Sequence, residues 1–148
     1  MENKRIEAAE RPRGGHLRLV YSREQATDMT QTIKSGLIGP FRLTFEYIER
    51  AVRVSAPGVY ALGTCDTAGR FAIMSVGRSD ADIKLRLREV IGAGTHFKFD
   101  TFATDREAFE KECELFHTIK PPGNFIHPGR PAGSTLRCPH CRIFGQQP

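Results

Sequence analysis

Apolar positions along this 148-residue chain switch repeatedly between a two-residue and a three-to-four-residue period. Residues 16–21 alternate as a short strand, and Ser22 can cap a helix over 23–34. Gly36 and Gly39-Pro40 close that unit. Thr44 caps a second helix over 45–52, with Tyr47, Ile48 and Val52 facing inward. Residues 59–63 and 71–76 predict two strands joined by the turn Asp66-Thr67-Ala68-Gly69. Asp80 is placed to cap a helix over 81–91, whose inward face carries Ile83, Leu87, Val90 and Ile91. Residues 96–102 alternate again, offering Phe97, Phe99 and either Thr101 or Phe102 to a core. A helix over 105–119, capped by Thr104 or Asp105, carries Phe109, Phe116 and Ile119 on one stripe until Pro121-Pro122-Gly123 stops it. The order of elements predicts an α+β fold: a small three-stranded antiparallel sheet flanked by helices, with an N-terminal strand–helix extension.

The divisions implied are residues 1–15 as a flexible lead-in, 16–56 as an N-terminal extension, 57–124 as the core, and 125–148 as a Pro/Gly-rich tail. No apolar run approaches the roughly 18 residues of a membrane span. The first fifteen residues lack the hydrophobic stretch of a secretory signal, so the expected setting is cytoplasmic.

The tail has no apolar periodicity, and such a segment needs a clamp. Cys138-Pro139-His140-Cys141 is a two-residue-spaced pair whose sulfurs can reach one tetrahedral Zn²⁺. Cys113 and His117, four apart on one helix, share a face and can complete the site. His127 or His140 could stand in for His117, and Cys65 is an outside candidate. Cys113 has an ordinary alternative as a small core residue. With four protein ligands the zinc would be structural rather than catalytic.

Net charge is +5, and its distribution matters more than its size. From residue 119 to the end stand Lys120, Arg130, Arg137 and Arg142, with no acid. Arg78, Lys84, Arg86 and Arg88 form a second basic group, diluted by Asp80, Asp82 and Glu89. Both patches suit a phosphate backbone, and both also read as plain solvated surface.

Glu112 lies between Phe109 and Phe116 on the last helix, near the apolar stripe, so it is a better candidate for chemistry than Glu110 or Glu114. Tyr60 on a strand, Arg86 on the next helix and Asn124 after the Pro-Pro-Gly break complete a set able to cut a phosphodiester. Each is ordinary alone: an edge aromatic, a solvated helix charge, a turn residue.

Together these residues resemble the GIY-YIG nuclease family. Gly58-Val59-Tyr60 matches its first triplet, Ser75-Val76-Gly77 stands at its second, and Arg86 matches the arginine of the following helix. Glu112, Leu115, Phe116, Pro121 and Asn124 fall in register with its glutamate, apolar pair, proline and asparagine. Residues 40–44 and the helix after them resemble the lead-in of many members. The resemblance implies a DNA endonuclease using one Mg²⁺ (or Mn²⁺). In that scheme Glu112 holds the metal, Tyr60 helps activate water, Arg86 stabilises phosphate charge and Asn124 braces the site. The chain departs at Ser75, where the family has a second tyrosine. A serine hydroxyl cannot do the same acid–base work. Either His96 or Arg78 reaches the site in its place, or the chain binds nucleic acid without cutting it. A zinc-stabilised interaction domain is the third reading.

Overall fold

A computed structural model describes residues 34–145; the strand over 16–21 and nearly all of the helix over 23–34 lie outside the described residues. The elements are β1 (Ile38–Arg42), α1 (Phe45–Ala51), β2 (Gly58–Cys65), β3 (Phe71–Ser79), α2 (Ile83–Glu89), β4 (His96–Thr101) and α3 (Asp105–Ile119). The strands form one antiparallel sheet in the order β1-β4-β2-β3.

The sheet therefore has four strands, not three. The extra one, β1, falls where Gly39-Pro40 signals a break. Proline lacks a donor and is tolerated on an edge strand, and among the described residues β1 is an edge, paired only to β4 with a register shift between Ile38 and Phe41. The predicted hairpin is present. Asp66 accepts hydrogen bonds from the backbone N–H groups of Ala68 and Arg70, and Gly69 takes φ +83° at its turn position.

Alternation along β2 divides the core between two faces. Leu62 joins Phe97, Phe99, Ile48, Val52, Ile83 and Leu87 beneath α1 and α2, with Tyr60 packed against them. Val59 and Ala61 join Phe71, Val76, Ala108 and Leu115 beneath α3. Two details of the helices correct the sequence reading. Tyr47 and Ile91 are exposed: Tyr47 lies within α1 but on the side away from the buried Ile48, and Ile91 lies beyond the end of α2. Asp82, not Asp80, caps α2, accepting from the N–H groups of Lys84 and Leu85.

Thr104 caps α3 by accepting from Glu107 N at 3.1 Å, while Glu107 reaches back to Ala103 N at 3.0 Å. Thr104→Ala is expected to cost about 1 kcal/mol in denaturant unfolding. At the other end Lys120 takes the left-handed conformation, φ 53°, and its N–H bonds Phe116 O. The tail then folds back on α3, where Cys138 is buried with Phe109 and Cys113 against Leu136, Cys141 and Phe144.

Candidate functional site

Tyr60 leaves β2 directly opposite Gly77 on β3. A Cβ placed on Gly77 would lie 2.3 Å from the Cζ and hydroxyl of Tyr60. The phenol ring thus lies across the bare backbone of Gly77, and any side chain there would evict it. Gly77 is bare where the Tyr60 ring needs the room. Burial pushes the Tyr60 hydroxyl above its ordinary range; Arg86 pulls the other way, and Glu112 and Glu89 add to the rise. The hydroxyl therefore feels both Arg86, from α2, and Glu112, from α3.

Glu112 is buried. Its Oε1 accepts from Arg78 Nη1 at 2.7 Å, with both side chains about one-tenth exposed. Arg78 also donates to Asp80 and lies 5.3 Å over the Phe109 ring. Burial raises the Glu112 carboxyl to about 7 despite the opposing Arg78, with Asp80 adding a little. An acid whose folded pKa exceeds its unfolded value favours the fold below the unfolded value, and loses that contribution as pH climbs through the folded one. Stability should thus fall between about pH 4.5 and 7 because of Glu112, by about 3 kcal/mol at most. Glu112→Gln should flatten that slope in magnesium-free denaturant titrations. Parallel curves for the two proteins would mean that the buried carboxyl carries no such burden.

Asn124 clamps the outer edge of β3. Its Oδ1 accepts from Val76 N at 2.8 Å and its Nδ2 donates to Val76 O at 3.0 Å, while Gly123 N bonds Met74 O at 2.7 Å. The Pro121–Asn124 turn thereby pairs with the Met74 and Val76 backbone on an edge strand. Ser75 is half-buried under that turn, its Cβ on the side of Gly123.

Two expectations for this site change. His96 pairs with Gly63, three positions along β2 from Tyr60 and about 10 Å away by strand rise; its ring bonds Thr95. It does not reach Tyr60, which the sequence reading allowed. Arg78 does reach the site, but as the partner of Glu112 and Asp80, so its charge is matched internally. Lys84 and Arg88 likewise pair with Glu49 and tie α2 to α1. Arg86 is exposed and, among the described residues, paired only with Glu89 at 2.9 Å, a weak surface contact that can be exchanged for another. Lys120, Arg130 and Arg137 are exposed; Arg130 stacks over Phe144 at 4.7 Å.

The second cluster is a His₂Cys₂ set. The ligand atoms of His117, His127, Cys138 and Cys141 lie within 4.8 Å of one another and could hold a metal such as zinc. The two Nε2 atoms are 3.2 Å apart, and each lies 3.4 Å from one sulfur, His117 from Cys138 and His127 from Cys141. A tetrahedral zinc with bonds of about 2.0 Å to nitrogen and 2.3 Å to sulfur spaces its ligands roughly 3.3–3.8 Å apart, close to these separations. His127 Nδ1 sits 2.8 Å from Pro128 O, which fixes its proton there and leaves Nε2 bare for a metal. His140 N–H donates to Cys138 Sγ, as suits a thiolate. Burial first, then His127, His140 and Lys120, lower the His117 imidazole's basicity.

His127 takes the place expected of Cys113. Cys113 is fully buried with Phe109 and Cys138, and burial pushes its thiol well up. It is a core residue behind the cluster. Cys65 ends β2 beside the buried Lys98, and His140 is exposed. His127 was legible as a substitute for His117 but not as its companion, because only the folded-back tail brings position 127 onto α3. An open groove of about 670 Å³ runs along the outside of the Cys138–Cys141 loop, lined by Arg106, Glu110, Arg137 and Arg142.

Fold and clusters together define a four-stranded antiparallel α+β domain with a His₂Cys₂ cluster. Among the described residues no helix is long and apolar enough to cross a membrane. No family model, curated protein or solved structure matches the chain.

Proposed function

We propose that the domain is a metal-dependent DNA endonuclease of the GIY-YIG type, with a structural zinc in the His₂Cys₂ cluster. The observation that carries this reading is the seating of Tyr60 over Gly77, with its hydroxyl inside the fields of both Arg86 and Glu112. Three elements contribute one chemical group each, and Asn124 fixes the strand between them.

The residues fit a single hard cation. Glu112 offers one carboxylate, with Oε2 free of hydrogen bonds among the described residues, and magnesium commonly takes one or two carboxylates plus water and phosphate. Bound Mg²⁺ would supply charge for the phosphorane-like transition state and lower the pKa of a bound water. The chain's own groups do the remaining work. Arg86 exchanges Glu89 for a phosphate oxygen. Tyr60, protonated at neutral pH, orients the attacking water by hydrogen bonding rather than acting as a standing phenolate. Arg78 holds Glu112 in its rotamer. Asn124 keeps β3, and so Gly77, in place under the ring.

Zinc-loaded protein incubated with supercoiled plasmid and Mg²⁺ is expected to yield nicked circles. Ser75 favours the second reading, a nucleic-acid-binding module without catalysis, since no acid–base side chain stands where the second tyrosine would be. Salt-sensitive DNA binding without nicking at any pH from 6 to 9 would establish that reading and remove the first.

A further inference from the structure

The loop between the two clusters carries the most exposed large apolar side chains among the described residues. Phe125 is 90% and Ile126 81% exposed. Each would gain about 1.5–3 kcal/mol from burial, yet the fold holds both out in water. They are not on a slack loop. Asn124, immediately before them, is bonded twice to Val76. His127, immediately after, belongs to the His₂Cys₂ cluster and bonds Pro128 O. The pair is thus anchored at both of its neighbours, and the residue before it clamps the β3 edge on which Gly77 lies.

Charge decides what such a tip is built to meet. Exposed Lys120 and Arg130 flank it along the chain, and no acidic residue occurs from position 119 to the end of the chain. An apolar tip in a basic, acid-free stretch suits a polyanion with an apolar interior, which describes stacked nucleic acid. Apolar side chains entering a base step unstack and kink the duplex, and aromatic rings stack on the bases they expose.

We infer that Phe125 and Ile126 form a wedge that enters a base step of bound DNA beside the proposed cleavage site. The inference rests on the nucleic-acid reading of the domain. It implies a preference for duplexes already weakened at one step, such as mismatches, bulges and branch points, where less stacking must be broken.

The test uses the zinc-loaded full chain and duplexes carrying 2-aminopurine at single positions, in calcium to prevent cutting. Wild type should raise the fluorescence of one or two adjacent positions and bind a mismatched duplex more tightly than a matched one. F125A/I126A should keep its zinc and its salt slope, lose the fluorescence rise and bind about 10-fold more weakly. Unchanged fluorescence and affinity in F125A/I126A would refute the wedge and leave DNA binding intact. Absence of salt-dependent DNA binding by wild type would instead refute the nucleic-acid reading, and the wedge with it. In that case, binding of anionic vesicles or of a protein through the same two residues would identify the other occupant.

Discussion

Replacing Glu112 with glutamine is expected to slow magnesium-dependent nicking by at least about 10²-fold, with the fold and the zinc retained. Charge stabilisation by a bound metal is worth several kcal/mol in a transition state, and each 1.4 kcal/mol is tenfold in rate. Glutamine has nearly the same shape. Its amide oxygen can still accept from Arg78, as Glu112 Oε1 does at 2.7 Å, so the comparison isolates the carboxylate charge. Circular dichroism and zinc content should therefore match wild type. Arg86→Ala should also slow nicking, and with less structural consequence, because Arg86 is exposed and bonded only to Glu89 among the described residues. Gly77→Ala tests the geometry by another route: a methyl group 2.3 Å from the phenol must displace Tyr60, although no catalytic group has been removed. Nicking that survives Glu112→Gln would mean that the activity resides elsewhere on the chain.

The second large effect concerns the tail. His127→Ala is expected to reduce bound zinc from about one equivalent to near none, and Cys113→Ala to leave it unchanged. The contrast follows from position. His127 Nε2 lies 3.2 Å from His117 Nε2 and 3.4 Å from Cys141 Sγ, at the edge of the tetrahedron. Cys113 lies behind it, fully buried, where alanine costs about 1 kcal/mol of packing. Loss of zinc should release the segment after Asn124, because Phe144, Leu136 and Cys138 form only a small core on Phe109 and Cys113. Limited proteolysis should then cut between positions 125 and 145 in His127→Ala and not in Cys113→Ala. The reverse pattern would restore Cys113 as the ligand.

Much of the fold can be read from local pattern. Thr44 and Thr104 announce helix starts because a side-chain oxygen satisfies an open N–H a few residues on, and both do so here. The Asp66–Gly69 turn and the burial of Phe97 and Phe99 follow from equally local rules. β1 escapes them. A Gly-Pro pair is a stop signal to any local reading, and only pairing with β4 makes those residues a strand. Asp80 and Asp82 are both plausible caps by type; where the long β3 strand ends decides between them.

The candidate sites divide in the same way. Tyr60, Arg86, Glu112 and Asn124 are each ordinary alone and stand out as a set only through their resemblance to a family pattern, whereas the Cys138–Cys141 spacing announces half of a metal site directly, because short-range geometry is set by chain chemistry. Whether distant groups meet depends on register and on how the tail returns. Tyr60 opposite Gly77 is a fact of β2–β3 register. His96 is excluded by β4 register, and Arg78 is drawn to Glu112 because both project into the α3 side of the sheet. His127 replaces Cys113 because α3 turns Cys113 into the core while the tail carries His127 over His117. The sequence by itself determined the described elements other than β1, and the chemical inventory, which local backbone and side-chain energetics control. The tertiary structure alone decided which members of that inventory share a site, since pairs far apart in the chain are brought together only by strand pairing and packing.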